Sequence, residues 1–574
     1  MSQESAQRYT YKPLNEHKDL RLLCLAAGDD EAEIFAALQP VAFQDPDLPA
    51  FTALSYTWGP GSRDASIYVD SASFAVTANL LAALKHLRKA DSDRRVWVDA
   101  ICINQADHLE KSLQVPKIHL IYRAAGSCLA WLGLPSDDSE LGMKTLGHLT
   151  HCLDCVEQCR KENHPSTQSW NAARKLLSRD YWRRTWILQE LIWATDIYFS
   201  CSGVDVDYNQ FVQAKDHLLL HTQNQPQNYA TFTLQLIRDI KAQLFAQTIN
   251  LSEDRKAEPL VDLMTAKVGH QATDPRDHVY AILNLLPRSE WPAEPDYTRT
   301  VVEVFAQATI KIITLMKSLE ILRLCNAAKM GVDVPPGVPL CGAEKIGERG
   351  RFGAILPTWV PNWMYVFLRP SQKRFGSYHN SKRNLYSCDA DLVPRLQILG
   401  PAHFPSLLTN TILYDSIRTC SRYTFWQNTL DKTDLQGLIH LASDQAVPDS
   451  DVHKSSECED ALWRSLMLDC GSSDSAYRAT SADVQDFAAR MQTTANLTSR
   501  EYGDLVGRKL FVTAKGLLGI GPDCSQQGDK IAIIPGCSVP MVLRDSRNDM
   551  SFNIMGEACK LTSQLVIRYM YMAS

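Results

Sequence analysis

The feature that most constrains this chain is an alternation of strand-like and helix-like segments over residues 51–205. Short continuous apolar runs lie at 52–59 (TALSYTWG), 95–103 (RVWVDAICI), 127–133 (SCLAWLG) and 196–201 (DIYFSC). Such runs are typical of strands buried in a parallel sheet. Between them, Leu80, Leu81, Leu84 and Leu87 recur at helical spacing. Alternating strands and helices predict an α/β layer with a mainly parallel sheet.

Local signals refine this pattern at three places. IYVD and SFAV alternate around Asp70 and Ser71, which predicts a β-hairpin. The helix predicted for residues 106–125 contains Pro116, so we expect it to kink or restart there. A further helix is expected over Tyr181 to Ala194.

The rest of the chain divides by composition and periodicity. Residues 1–50 read as an N-terminal adaptor segment with short strands such as LRLLCL, and residues 51–205 as the α/β domain. We predict a helical region with a Gly/Pro-rich loop at 206–357 and a mixed, mostly helical region at 358–500. Glycine turns between apolar runs predict a β-rich module at 501–574.

Charge and hydropathy exclude several classes of function. The net charge is −6 and no long basic run occurs, which argues against a nucleic-acid surface. No apolar run approaches the roughly 18 residues that a membrane helix needs, and the polar start MSQESAQRYTYKPL does not resemble a signal peptide. We therefore expect a cytoplasmic protein without a membrane span and with reduced cysteines.

Three segments, in order, resemble the fungal heterokaryon-incompatibility (HET) domain family. They are ALSYTWG at 53–59, VWVDAICINQADHLEK at 96–111, continuing through IYRAAGSCLAWLG, and YWRRTWILQELIWA at 181–194. TDPRDHVYAILNLLP, PTWVPNW, RKLFVTAKGLLGIGP and GDKIAIIPG resemble the flanking regions of large HET proteins. Two departures are Pro116, where the family usually continues its helix, and the last 15 residues, which do not resemble its usual ending.

The resemblance implies self/non-self recognition and the induction of programmed cell death. Its partner would be a protein from an incompatible allele, or a second copy of the chain. A non-catalytic scaffold that only oligomerises is an alternative, as is an accessory role in a biosynthetic gene cluster. The family resembles TIR domains, which implies a TIR-like or flavodoxin-like sheet.

Some TIR domains cleave NAD, and their catalytic glutamate lies in a pattern similar to Trp186-x-x-x-Glu190-Leu191. By this resemblance Glu190 is the candidate catalytic residue, with NAD as substrate and no resident cofactor. On one helix, Trp182, Trp186, Glu190 and Trp193 would share a face. A carboxylate among indoles is desolvated and could stabilise a ribosyl cation. The alternative is a core helix in which Glu190 pairs with Arg183 or Arg184.

Ligand-binding candidates follow the first two strands of the domain. Because ligands of open α/β sheets lie beyond the carboxyl ends of strands, Ser55, Tyr56, Trp58 and Asp99 are candidates, together with Trp186. Ser55 and Asp99 could instead cap helices. Asn104, Gln105 and Asp107 are interpreted as a helix start.

Cysteines suggest two further sites that we do not favour. His151, Cys152, Cys155, Cys159 and His164 are rich in metal-binding groups. Their helical spacing, without a second CxxC, favours free thiols over zinc, so we predict no metal site. Cys102 lies in an apolar run with no basic neighbour, which predicts an inert thiol with a raised pKa.

Overall fold

The structure is a computed structural model of the 574-residue chain. It describes residues 7–14, 19–29, 32–43, 45–59, 63–136, 138–148, 167–220, 229–249, 264, 270–325, 331–333, 344–346, 351–364, 394–401, 405–421, 480–493, 508–546 and 551–560. The cysteine-rich segment at 151–164 and the last 14 residues lie outside these ranges.

A nine-stranded sheet forms the centre of the N-terminal part. Its strands are Leu20–Leu25 (β1), Phe35–Val41 (β2), Thr52–Tyr56 (β3), Ala65–Val69 (β4), Ala72–Val76 (β5), Arg94–Trp97 (β6), Ser127–Trp131 (β7), Ile197–Cys201 (β8) and Val204–Asp207 (β9). They lie in the order β5-β4-β2-β1-β6-β3-β7-β8-β9. The predicted α/β class is therefore confirmed.

The prediction of a mainly parallel sheet is wrong, because the sheet is mixed. Strands β6, β3, β7 and β8 are mutually parallel, and β2 is parallel to β4. The other neighbouring pairs, β1 with β2, β1 with β6, β4 with β5 and β8 with β9, are antiparallel. The physical reason is the hairpin of β1 and β2, which inserts between β4 and β6 and needs no crossover helix. The segment predicted as an adaptor thus contributes two strands to this sheet.

Helices connect many of the strands along the chain and pack against the sheet. The helices among the described residues up to 249 are Ala78–Leu87 (α1), Asp99–Cys102 (α2), His108–Gln114 (α3), Ile118–Ala124 (α4), Ser139–His148 (α5), Thr167–Leu177 (α6), Ile187–Trp193 (α7), Tyr208–Leu220 (α8) and Tyr229–Ile249 (α9). Leu80, Leu84 and Leu87 are buried in α1, as the apolar spacing predicts, whereas Leu81 is only partly buried.

Local sequence signals account for several boundaries. Asp70 and Ser71 have positive φ angles and form the predicted hairpin turn. Asp107 caps α3 by accepting hydrogen bonds from the backbone of Leu109 and Glu110, as predicted. A 3₁₀ turn at Val115–Lys117, which contains Pro116, separates α3 from α4. The predicted restart at the proline is therefore confirmed.

Two predicted elements are interrupted. The apolar run at 95–103 is not one strand, because β6 ends at Trp97 and the backbone turns into α2, whose first residue, Asp99, accepts a hydrogen bond from Ala100 N. The helix expected from 181 to 194 is also wrong. A 3₁₀ helix at Asp180–Arg183 precedes extended residues that bridge to Gln271, and α7 begins only at Ile187.

Residues 270–325 pack directly against α7. They form the helices Asp277–Leu283 (α10) and Val301–Met316 (α11), with 3₁₀ turns at Arg288–Glu290 and Glu320–Leu324. Gln189 of α7 donates to the carbonyl oxygen of Tyr280 at 3.2 Å and accepts from Asn284 at 2.9 Å. Both amide side chains are buried. The segment is thus hydrogen-bonded to the helix on which the candidate acid lies.

The described C-terminal residues form mainly antiparallel strands. These are Gly331–Asp333 (β10), Glu344–Ile346 (β11), Arg351–Ile355 (β12), Leu396–Leu399 (β13), Ser406–Thr409 (β14), Ile412–Cys420 (β15), Arg508–Thr513 (β16), Leu518–Pro522 (β17), Lys530–Ile533 (β18), Met541–Asp545 (β19), Phe552–Glu557 (β20) and Cys559–Lys560 (β21), with a helix at Ser481–Thr493 (α12). Seven of them form one sheet, β20-β19-β18-β15-β16-β17-β21. The predicted β-rich module is confirmed.

A buried ionic cluster joins this module to residues 270–325. The carboxylate of Glu557 accepts from Arg323 Nε at 2.9 Å and from Arg508. Arg323 also donates to Glu320 at 3.2 Å, and the other oxygen of Glu320 accepts from the backbone of Ser538. These charged side chains are at most 8% exposed. In the described part of the chain, no helix is long and apolar enough to cross a membrane.

Candidate functional site

The structure brings Ser55, Asp99 and Glu190 together around Arg184, at the carboxyl ends of β3 and β6. Ser55 is the fourth residue of β3, Asp99 follows β6, and Glu190 lies in the middle of α7. Parallel strands end at the same edge of a sheet, so β3 and β6 deliver their side chains to one place. The sequence predicted Ser55, Asp99 and Glu190 separately, and the fold makes them neighbours.

Glu190 is buried and fully engaged with protein groups. Its Oε2 lies 3.2 Å from Arg184 Nη1, and its Oε1 lies 3.3 Å from Arg184 Nη2, which is a two-point ion pair. The hydroxyl of Ser55 donates to Oε2 and also lies 2.8 Å from the Tyr181 hydroxyl. Because the Glu190 side chain is only 6% exposed, a ligand would reach it only if Arg184 moved.

Asp99 forms the second acidic group around Arg184. Its carboxylate accepts from Trp58 Nε1 at 3.1 Å and from Ala100 N at 2.7 Å. Burial, together with the negative charge of Glu190, raises the pKa of Asp99 to about 6, although Arg184 opposes the shift. Burial alone would lower the pKa of Arg184, but the charges of Glu190 and Asp99 outweigh it and raise that pKa.

The raised pKa of Asp99 predicts a pH-dependent loss of stability. An unfolded aspartic acid titrates near pH 4, so between about pH 4 and pH 6 the folded state holds a proton that the unfolded state has lost. Raising the pH through this window should therefore lower the free energy of unfolding by roughly 1–3 kcal/mol. Asp99→Asn should remove this contribution, as measured by urea unfolding at several pH values. A variant that keeps the whole wild-type slope would contradict the assignment.

The aromatic candidates surround this cluster without lining Glu190 as expected. Tyr56 is buried beside Ser55, and burial raises the pKa of its hydroxyl well above the usual value. Trp58 donates to Asp99, whereas Trp186 donates to Asp277 Oδ2 at 3.0 Å. Trp182 lies in the preceding 3₁₀ helix, so the predicted shared face of three tryptophans does not form.

Three residues of the site were not singled out from the sequence as site residues. Arg184 appeared only as one of two candidate ion-pair partners, and Tyr181 and Asp277 were not considered. Asp277 accepts from Tyr297 as well as from Trp186, and burial raises its pKa. The charged run Asp274 to Asp277 beside an apolar helix was the available signal. Buried charges of this kind are usually paired.

Cys102 is not a nucleophile candidate in this setting. Burial raises the pKa of its thiol to about 12, although hydrogen bonds from Val98 and Leu23 oppose the shift. The raised pKa agrees with the prediction, but the position of Cys102 is corrected, because it lies in α2 and not in a strand. Within the described ranges, no group of three or more histidine, cysteine or acidic residues has a geometry that could hold a metal ion.

The family comparison identifies the segment that contains this cluster. Residues 51–190 match the family described as "Heterokaryon incompatibility protein (HET)". Residues 51–190 are therefore similar to the HET domain. The match ends at Glu190 itself, and residues 474–561 match a second family, "Het-6 beta-barrel domain". The segment that matches the HET family therefore includes Ser55, Asp99, Arg184 and Glu190, and the barrel match covers α12 and β16 to β21.

One curated relative extends the resemblance beyond these two domains. The chain is 26% identical over 628 aligned residues to "Heterokaryon incompatibility protein 6, OR allele" of Neurospora crassa. The alignment covers 89% of this chain and 88% of the relative, so the similarity extends over most of both proteins. No solved structure matches the chain.

Proposed function

We propose that this protein acts in fungal heterokaryon incompatibility, the recognition of non-self after cells fuse. The observation that carries the proposal is the HET family match over residues 51–190. The alignment with heterokaryon incompatibility protein 6 supports it, because it covers 89% of this chain and so includes regions outside residues 51–190. The match of residues 474–561 to the Het-6 beta-barrel domain family supports it as well.

We further propose that the HET domain is a TIR-like effector of cell death that works in the cytoplasm. The parallel centre of the sheet, β6-β3-β7-β8, supports the finer fold proposal. The partner would be the product of an incompatible allele or a second copy of this chain. The ionic cluster at Glu557 supports a role for the barrel in holding or reporting on the N-terminal part, since it joins the barrel to residues that contact α7.

Induced expression of the full chain in a filamentous fungus tests this role. We expect growth arrest, because an effector present in excess should act without its partner. The full chain is needed since residues 270–325 supply hydrogen bonds to α7. Normal growth, with the folded protein present at levels similar to a tolerated control protein, would contradict the proposal.

Cleavage of NAD with Glu190 as the catalytic group stays a prediction. The ion pair with Arg184 and the low exposure of Glu190 favour a structural role in the conformation described here. Catalysis would require Arg184 to release the carboxylate. Purified full chain at high concentration should be incubated with NAD and nicotinamide measured by chromatography. Equal release by wild type and Glu190→Gln would exclude a catalytic role. Growth arrest without any release would favour the non-catalytic scaffold.

A further inference from the structure

A polar cavity lies on the face of the central sheet opposite Ser55. Its volume is about 280 Å³, and its wall includes Thr52, Arg94 and Ser127 near the amino ends of β3, β6 and β7. Thr52 is three residues before Ser55, so the two side chains point to opposite faces of the strand. His86, at the end of α1, and Asp205, in β9, complete the polar wall. The cavity is therefore separate from the Glu190 cluster.

Arg94 is the only lysine or arginine among the residues that line this cavity, and it forms no close ion pair with the Asp205 carboxylate. Its Nη1 donates to the carbonyl oxygen of Leu87, and its Nη2 donates to the Thr52 hydroxyl, both at 3.2 Å. Both acceptors are uncharged, and none of the ion pairs between described residues includes Arg94. An arginine has five N–H donors. Burial lowers the pKa of the Arg94 guanidinium, and Asp205 only partly opposes this, so an added negative charge nearby would be stabilising.

Hydroxyl groups beside Arg94 add further hydrogen-bond donors to the cavity wall. Thr52 Oγ1 lies 3.1 Å from Ser127 Oγ, and Tyr198 also lines the cavity. A half-buried guanidinium beside hydroxyl groups is a common arrangement for binding carboxylate or phosphate oxygens. Leu87 and Leu129 provide an apolar wall against which a small carbon skeleton could pack. The volume is close to the lower limit for ligand pockets, which restricts the ligand to a small molecule.

A serine–histidine–aspartate hydrolase site is the competing interpretation, and the geometry argues against it. His86 Nε2 lies 3.0 Å from Ser200 Oγ and 3.1 Å from Asp205 Oδ1. A catalytic triad needs the serine and the aspartate on different ring nitrogens, because the histidine passes a proton from one side while it is oriented from the other. Here both contact the same nitrogen. His86 instead holds Asp205, and its hydrogen bond lowers the pKa of that carboxyl.

We propose that this cavity is a binding site for a small oxyanion, a phosphate monoester or a carboxylic acid, with Arg94 as its principal ligand-binding residue. Thr52 and Ser127 supply additional hydrogen bonds. Asp205 limits the negative charge that the cavity accepts, because it interacts electrostatically with Arg94. The site is independent of Glu190 and of any reaction at that cluster.

Ligand-detected NMR titrations of the full chain at constant ionic strength test the site, with inorganic phosphate and with succinate as separate probes. We expect at least one probe to bind the wild type. Arg94→Gln should weaken its binding roughly tenfold or more, since a charge-assisted contact is lost. Arg95→Gln is the matched control, because Arg95 is exposed on the other face of the same strand. It should bind like the wild type.

Asp205→Asn is expected to have the opposite effect on the binding affinity. Asp205 is about half exposed, so its replacement should leave the fold intact, and removal of its charge should tighten binding by roughly two- to fivefold. Succinate binding without phosphate binding would identify a carboxylate ligand, and the reverse a phosphate ligand. The proposal is overturned if neither probe binds the wild type. It is also overturned if Asp205→Asn leaves the affinity unchanged, or if a folded Arg94→Gln binds as well as Arg95→Gln.

Discussion

Arg184→Met is expected to lower the free energy of unfolding by about 3–5 kcal/mol, because it leaves the buried Glu190 carboxylate without its guanidinium. Methionine keeps much of the side-chain volume, so the effect measures the lost charge more than a cavity. Urea unfolding followed by tryptophan fluorescence gives the value, since Trp182 and Trp186 lie close by in sequence. A loss below about 1 kcal/mol would show that the pair is not important for stability.

Two further variants test whether the lost stability comes from a buried charge that has no partner. Arg288→Met is the control, because Arg288 and Glu294 form a two-point pair in which both side chains are more than half exposed, and exposed pairs contribute about 1 kcal/mol or less. Replacing both partners, Arg184→Met with Glu190→Leu, should recover most of the lost stability, since no buried charge is then uncompensated. A double variant as unstable as the single one would contradict this explanation.

Glu557→Gln is expected to be about as damaging, by roughly 3–5 kcal/mol, because one carboxylate serves two buried guanidinium groups. Glutamine is isosteric, but its neutral amide would bring an N–H₂ group toward Arg323 or Arg508. The C-terminal module should therefore loosen from residues 270–325 before the central sheet unfolds. Limited proteolysis should show earlier cleavage between the two parts than in the wild type.

The control for Glu557→Gln is the same substitution in an exposed glutamate–arginine pair. Glu294 accepts two hydrogen bonds from Arg288, at 2.8 and 3.0 Å, with both side chains more than half exposed. Glu294→Gln should change stability by about 1 kcal/mol or less, because solvent screens the pair. If the two glutamine variants were equally stable, the Glu557 cluster would have no special role in joining the two parts.

Sequence periodicity predicted the elements of this fold better than their arrangement. The apolar runs at β3, β7 and β8 and the leucine spacing of α1 were sufficient to place those elements. The antiparallel insertion of β1 and β2 could not be read from the sequence, since neither strand encodes its neighbour in the sheet. The predictions of a single strand at 95–103 and a single helix at 181–194 were wrong for a related reason. A buried helical turn and a buried strand are equally apolar, so hydrophobicity does not distinguish them.

At the candidate site, too, individual residues were predicted from the sequence but their arrangement was not. Ser55 and Asp99 were found from a general rule about strand ends, and Glu190 from a family resemblance, but the arginine that holds Glu190 was only one of two neighbours. Spacing cannot decide between Arg183 and Arg184, because the choice depends on the extended residues between the 3₁₀ helix and α7. The bond from Trp186 to Asp277 spans 91 residues and has no local signal.

That long-range bond has a consequence for inheritance. Trp186 and Gln189 pair with Asp277, Tyr280 and Asn284, all of which lie beyond the last residue of the HET family match. A genetic crossover between the codons for residues 205 and 270 would join halves that come from different parental alleles. A sequence difference at Asp277, Tyr280 or Asn284 could then weaken the packing of α7 in recombinant progeny, although each parental protein folds normally.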